Sequence, residues 1–143
     1  MIDLAGQLSD GVPDDERRHT VTRFFEAIQR GDYPVLEAVL SPDAITRWPQ
    51  SGERITGAAS CVQVHANYPG GPPRQHVQRI SGDGDVWVAE LVSDYGAERW
   101  HMVSVIEFEG PRIARMTDFF GPSFPAPAWR RGWVEINDAE TPL

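Results

Sequence analysis

At 143 residues, 41% of them hydrophobic and 24% charged, the chain has the size and composition of one globular domain and is too short for two separate cores. Its formal charge of −8 and its singly or doubly scattered arginines exclude a phosphate-binding nucleic-acid surface, and no apolar run approaches the ~20 residues of a membrane span. All 13 basic residues are arginine, which excludes lysine Schiff-base chemistry and a P-loop, and the single cysteine, Cys61, excludes an internal disulfide and a cysteine zinc cluster.

Residues 1–13 carry acids and no basic cluster ahead of an apolar core, so they read as a flexible segment and not as a secretory signal. The expectation is a soluble, cytoplasmic protein. From Asp14, residues Val21, Phe24, Phe25 and Ile28 fall at the spacing of one apolar helical face, and Gly31 supplies a stop. Asp32 then caps a short second helix, with Pro34 in its first turn and Leu36, Val39 and Leu40 facing inward, until Ser41-Pro42 ends it. A brief strand spans residues 44–48 and breaks at Pro49 and the Gln50-Ser51-Gly52 turn. Thr56 opens a third helix that reaches about Tyr68, where Pro69-Gly70-Gly71-Pro72-Pro73 closes it.

Beyond that punctuation the period changes. Residues 75–80, 85–93, 99–109 and 112–120 are rich in β-branched and aromatic side chains and separated by short glycine-bearing turns, which predicts four sequential antiparallel strands. Residues 121–143 form a tail with Pro122, Pro125, Pro127, Phe124, Trp129 and Trp133, too proline-rich for a regular element and too aromatic to float free. It is expected to pack on the domain or on a partner subunit. The class is α+β, with three leading helices on a curved antiparallel sheet that encloses a pocket.

This order, together with Arg30-Gly31-Asp32 between the first helices, Arg47-Trp48-Pro49 with Gly57 before the third, and residues 103–108 running through Gly110 into residues 113–120, resembles the nuclear transport factor 2-like fold and, within it, the SnoaL-like proteins. The resemblance covers residues 14–120. That fold hosts isomerases, hydrolases, cyclases and plain binding modules, so it implies an architecture and leaves the activity open.

Matched to ketosteroid isomerase, Phe24 falls on the oxyanion-hole tyrosine, Trp48 on the base aspartate and Ser104 on the neutral, donating aspartic acid. Enolisation of that kind needs a carboxylate base and strong donors, so steroid isomerisation is not expected. Limonene epoxide hydrolase is similar at the end of the last strand, and its acid/base aspartate falls on Asp118; SnoaL-type polyketide cyclases likewise use one pocket aspartate. The hydrolase's arginine has no match in residues 88–92, but Glu90 would supply a second carboxylate if the hairpin register sets it inward, opposite Ser104.

Strand alternation adds Met116 and Phe120 beside Asp118, and Trp100, Met102 and Ser104 on the neighbouring strand. The resulting expectation is a cofactor-free acid/base enzyme with Asp118 and Glu90 as catalytic groups. Phe24, Trp48, Trp100, Met102, Ser104, Met116 and Phe120 would hold a small, largely apolar organic molecule for cyclisation, isomerisation or hydrolysis. The alternative is a non-catalytic binding or dimerisation module in which Asp118 pairs with Arg47, Arg99 or Arg115. His19, His65, His76 and His101 lack paired ligand spacing, so no metal site is expected, and a homodimer is.

Overall fold

A computed structural model of the chain describes residues 11–136. The expected flexible start therefore lies largely outside the described residues, as does the end of the tail. Helix α1 runs from Asp14 to Arg30 and is ended by Gly31 in the left-handed conformation (φ 65°), whose N–H returns to the helix carbonyls. Asp32 accepts a hydrogen bond from the Val35 N–H (3.3 Å) and caps α2, Tyr33–Val39. The apolar stripe of α1 is fully used: Val21, Phe24, Phe25 and Ile28 are all buried, each worth roughly 1.5–3 kcal/mol of hydrophobic transfer.

Strand β1 (Leu40–Trp48) follows α2 without a break, β2 (Glu53–Thr56) folds back on it, and helix α3 (Ala58–Ala66) returns over the sheet. Four long strands follow: β3 (Arg74–Asp83), β4 (Val86–Asp94), β5 (Arg99–Glu109) and β6 (Arg112–Pro122). Among the described residues they form one curved, open sheet in the order β2-β1-β6-β5-β4-β3. The helices cover one face, and the α+β expectation holds.

Three details differ from the sequence reading. The sheet is not wholly antiparallel, because β1 and β6 pair in parallel; turn chemistry reports only on neighbours in sequence, and these strands are joined by most of the chain. Strand β1 runs straight through Ser41-Pro42, which was expected to be a break. Pro42 falls in the irregular stretch between the pairs Leu40–Ile113 and Ile45–Arg115, where its missing N–H costs no ladder bond. Residues 53–56 are a strand and Gly57 caps α3, so Thr56 ends β2 and does not open the helix. In the tail, Phe124, Trp129 and Trp133, the latter two on a 3-10 turn (Ala128–Trp133), are more than 70% exposed in the single chain.

Two hairpin ends are tied to α1 by one side chain. Arg17 is 2% exposed; its Nη1 donates to the Gly84 carbonyl (2.7 Å) and to Asp85 Oδ1 (3.1 Å), its Nη2 donates to the Gly110 carbonyl (3.0 Å), and the guanidinium lies over the Phe108 ring. In the same β3–β4 turn, a Cβ on Gly82 would meet the Val86 carbonyl oxygen at 2.5 Å and Trp87 Cα at 2.7 Å. Gly82→Ala is accordingly expected to cost about 2 kcal/mol or more in chemical denaturation. An unchanged midpoint would show that the turn can open without penalty.

Candidate active site

The inward face of the sheet is set by register. Ala89, Ser104 and Asp118 lie side by side across β4, β5 and β6; Leu91, Met102 and Phe120 form the next row, and Ser93 and Trp100 stand opposite each other beyond it. Strand β1 brings Thr46 next to Met116 and sends Trp48 toward Asp118. Phe24, Phe25 and Ile28 of α1 and Cys61 and His65 of α3 cover this face, the last two one helical turn apart. Between the layers lies a cavity of about 320 Å³, large enough for a small organic molecule.

Asp118 is 6% exposed and lies in the wall of this cavity. Ser104 donates its hydroxyl to Oδ1 at 2.6 Å, and the Trp48 indole N–H donates to Oδ2 at 3.0 Å. Burial pushes the Asp118 carboxyl above its ordinary value, and the two hydrogen bonds hold it back only in part. Neither Arg47 nor Arg115 neutralises it: Arg47 reaches Thr117 on the outer face (3.4 Å), and Arg115 lies 3.9 Å from Glu107. The two bonds into Asp118 come from neutral donors, so the group can take up or release a proton without breaking an ion pair.

Its neighbours are uncharged as well. Burial raises the Cys61 thiol to about 11, with the nearby Asp118 charge adding to the rise and a Thr46 hydrogen bond opposing it. Burial also lowers the His65 imidazole, whose ring meets Phe24 edge-on. At the mouth, the Tyr68 and Tyr95 hydroxyls are hydrogen-bonded to each other (2.8 Å), linking the segment after α3 to the β4–β5 turn. Trp48, Phe120, Trp100 and Tyr95 make successive edge or tilted ring contacts along one wall.

Of the residues expected at the site, Phe24, Trp48, Trp100, Met102, Asp118 and Phe120 line the cavity. Ser104 and Met116 are on the right face but are buried behind it, Ser104 as the partner of Asp118 and Met116 as core. Glu90 is not brought to the site. The register sets Ala89, not Glu90, opposite Ser104, so Glu90 stands across from Val103 on the outer face and pairs with Arg79. His101 also faces outward, where it meets Ser123.

Cys61, His65, Thr46, Gln75 and Ser93 line the cavity without having been singled out. Cys61 and His65 sit at i and i+4 of a helix, a spacing that could have marked them as a pair facing inward. Among the described residues no three of His, Cys, Asp and Glu gather as metal ligands, and no helix is long and apolar enough to cross a membrane.

Comparison with known proteins agrees with this architecture. An NTF-2 like protein of unknown function from Burkholderia xenovorans LB400 is 31% identical, with 90% of this chain and all of that one covered and a TM-score of 0.80. A candidate ketosteroid isomerase from Kribbella flavida DSM 17836 is 26% identical over 88% of this chain and 93% of the other, with a TM-score of 0.79. An LEH-like epoxide hydrolase from M. tuberculosis shares the fold at 24% identity, covering 75% and 84% of the two chains, with a TM-score of 0.65. No curated protein sequence matches the chain. The SnoaL-like domain model matches residues 21–116, which hold α1 from Val21, all of α3 and the six described strands as far as Met116, and the chain belongs to that family.

Proposed function

We propose that the protein is an acid/base enzyme in which Asp118 moves a proton on a small, largely apolar molecule bound among Phe24, Trp48, Trp100, Met102 and Phe120, without a cofactor. The observation that carries this reading is a buried carboxyl in a cavity wall, held at a raised pKa by burial and fixed in orientation by two neutral donors. A group poised nearer neutrality than an ordinary aspartate serves both as acid and as base. Relatives described as an isomerase and an epoxide hydrolase support proton transfer in this cavity. Phe24, Trp48 and Ser104 supply no second carboxylate, which speaks against steroid isomerisation by the ketosteroid isomerase's own groups.

The test is turnover of small epoxides and enolisable carbonyl compounds followed against pH. The expected profile is governed by a single group titrating above the usual carboxylate range and vanishes in Asp118→Asn. Turnover that survives this substitution would sink the assignment. A second reading, a binding module, gains from Glu90 facing outward, since one carboxyl alone then meets the ligand deep in the cavity. It predicts ligand binding with no turnover of any panel member.

The tail supports a homodimer as part of the same proposal, because Trp129 and Trp133 are 75% and 83% exposed and aromatic side chains of this kind are favoured in interface cores. Light scattering at micromolar concentration is expected to give twice the 16.0 kDa chain mass. A monomer mass would remove the partner.

A further inference from the structure

The charge character of the cavity is one-sided, with Glu53 and Asp118 in the lining and no arginine. Its two strongest donors, the Ser104 hydroxyl and the Trp48 indole N–H, are both committed to Asp118. The charged groups that remain are both carboxyls, Asp118 itself and Glu53, beside the hydroxyls of Thr46, Ser51, Ser93, Tyr68 and Tyr95, which can accept as well as donate. No arginine is found among the lining residues, although the chain has 13, and Arg47 on the neighbouring strand β1 and Arg115 on β6 itself face outward to Thr117 and Glu107. One wall is a run of rings: Trp48, Phe120, Trp100 and Tyr95 are linked in sequence at mutual angles of 44–87°.

Such a surface holds negative groups and no arginine, and so disfavours anions. A protonated amine fits it. The ring quadrupoles attract the cation, its N–H groups donate to Asp118, and its charge favours the carboxylate against the burial that raises the Asp118 carboxyl. From the aromatic walls and the two carboxyl groups of a lining without arginine, we infer that the ligand of this cavity is an alkyl or arylalkyl amine, bound as the ammonium with its nitrogen at Asp118 and its apolar body against Trp48, Trp100 and Phe120. The inference rests on the proposed role of Asp118 as the polar pole of the site and names the class of molecule that meets it.

Where Asp118 titrates, docking is coupled to release of its proton, so affinity rises with pH through that range and falls again where the amine loses its charge. The other titratable groups facing the cavity are Cys61 and His65 from α3, Glu53 from β2, and Tyr68 and Tyr95 at the mouth. Burial raises the Cys61 thiol to about 11 and lowers the His65 imidazole, so the first two are neutral at pH 7.5, and burial with the Tyr68 hydrogen bond raises the Tyr95 hydroxyl.

The probes are 2-phenylethylamine and its uncharged analogue 2-phenylethanol, which have nearly the same shape, titrated into the full-length protein at pH 7.5 by calorimetry, with the Trp48 indole N–H signal followed by NMR. The amine is expected to bind at least about tenfold tighter than the alcohol. In Asp118→Asn that preference should collapse toward one while the alcohol binds as before. Equal affinities, a preference for the alcohol, or no amine binding at millimolar concentration would overturn the inference. If the alcohol is preferred and Asp118→Asn still abolishes turnover, the amine is wrong and proton transfer stands. If the amine is preferred and turnover survives the substitution, the ligand class stands and proton transfer is wrong.

Discussion

Asp118→Asn is expected to cut turnover by about 10²- to 10⁴-fold, the usual worth of a positioned acid or base, while raising the melting temperature at pH 7. Both effects come from one source. In the wild type, burial raises the folded-state pKa of Asp118 above its unfolded value. At a pH below the unfolded value the group is protonated in both states and burdens neither. As the pH climbs through the ordinary carboxylate range toward the raised folded pKa, the unfolded chain gives up its proton first, and the native state loses stability relative to it. Asparagine copies the protonated acid: its carbonyl accepts from the Trp48 indole N–H and its amide donates to Ser104 Oγ, with no charge to bury.

The stability gap between variant and wild type should therefore open with rising pH and close in acid. Denaturation midpoints for both proteins across the acid-to-neutral range would test this. A variant less stable than the wild type at pH 7 would mean that the carboxylate is net stabilising, and a base dependent on a raised pKa would have to be abandoned. Natural sequences tolerate such costs where chemistry requires them, which makes the gain in stability as informative as the loss of activity.

The second large effect is expected far from the cavity. Arg17→Leu should destabilise the fold by about 2–4 kcal/mol, because it leaves the Gly110 carbonyl without its donor and removes one of two from Gly84. For a domain of this size the loss corresponds to roughly 10 °C in melting temperature. Asp85 offers a control. Its side chain is 71% exposed, so Asp85→Asn should change stability little even though it removes the formal ion pair. If the two substitutions cost the same, the ion pair and not the capture of the turn carbonyls is what holds α1 to the hairpin ends. Catalytic parameters measured below the melting transition should be unaffected in both variants.

The helices and the long strands were legible because each states its period over many residues. Val21, Phe24, Phe25 and Ile28 mark one face of α1, and alternation through β5 and β6 put Trp100, Met102, Ser104, Met116, Asp118 and Phe120 on one side of the sheet. Lining the cavity is a finer matter than facing it. Met116 shares the face of Asp118 but lies under the helices, and depth along a strand has no periodic signature.

Glu90 failed for a related reason. Alternation divides β4 into two sets, and only the pairing of Ala89 with Ser104 says which set is inside. Strand β2 has four residues, three of them exposed, too few to show any period. Arg17 reads as a solvated charge at the start of a helix; its burial depends on carbonyls 67 and 93 residues away, and nothing local announces them. Cys61 and His65 became site residues once α3 was laid over the sheet, a long-range packing result.

The parallel pairing of β1 with β6 governs when the site can exist. β6 is the last of the described strands to be made and sits in the middle of the sheet, joining the β2-β1 edge to the β5-β4-β3 meander. Trp48 and Asp118 meet across that seam, 70 residues apart in the chain. During synthesis the helical half and the meander can each begin to form, but the aromatic walls stay open to water and the carboxyl has no partner until β6 leaves the ribosome and docks. Contacts of such long sequence separation are slow to close. A nascent chain that stalls before residue 112 therefore exposes a greasy half-pocket without its acid, whereas a chain that can bind its ligand has already completed its fold.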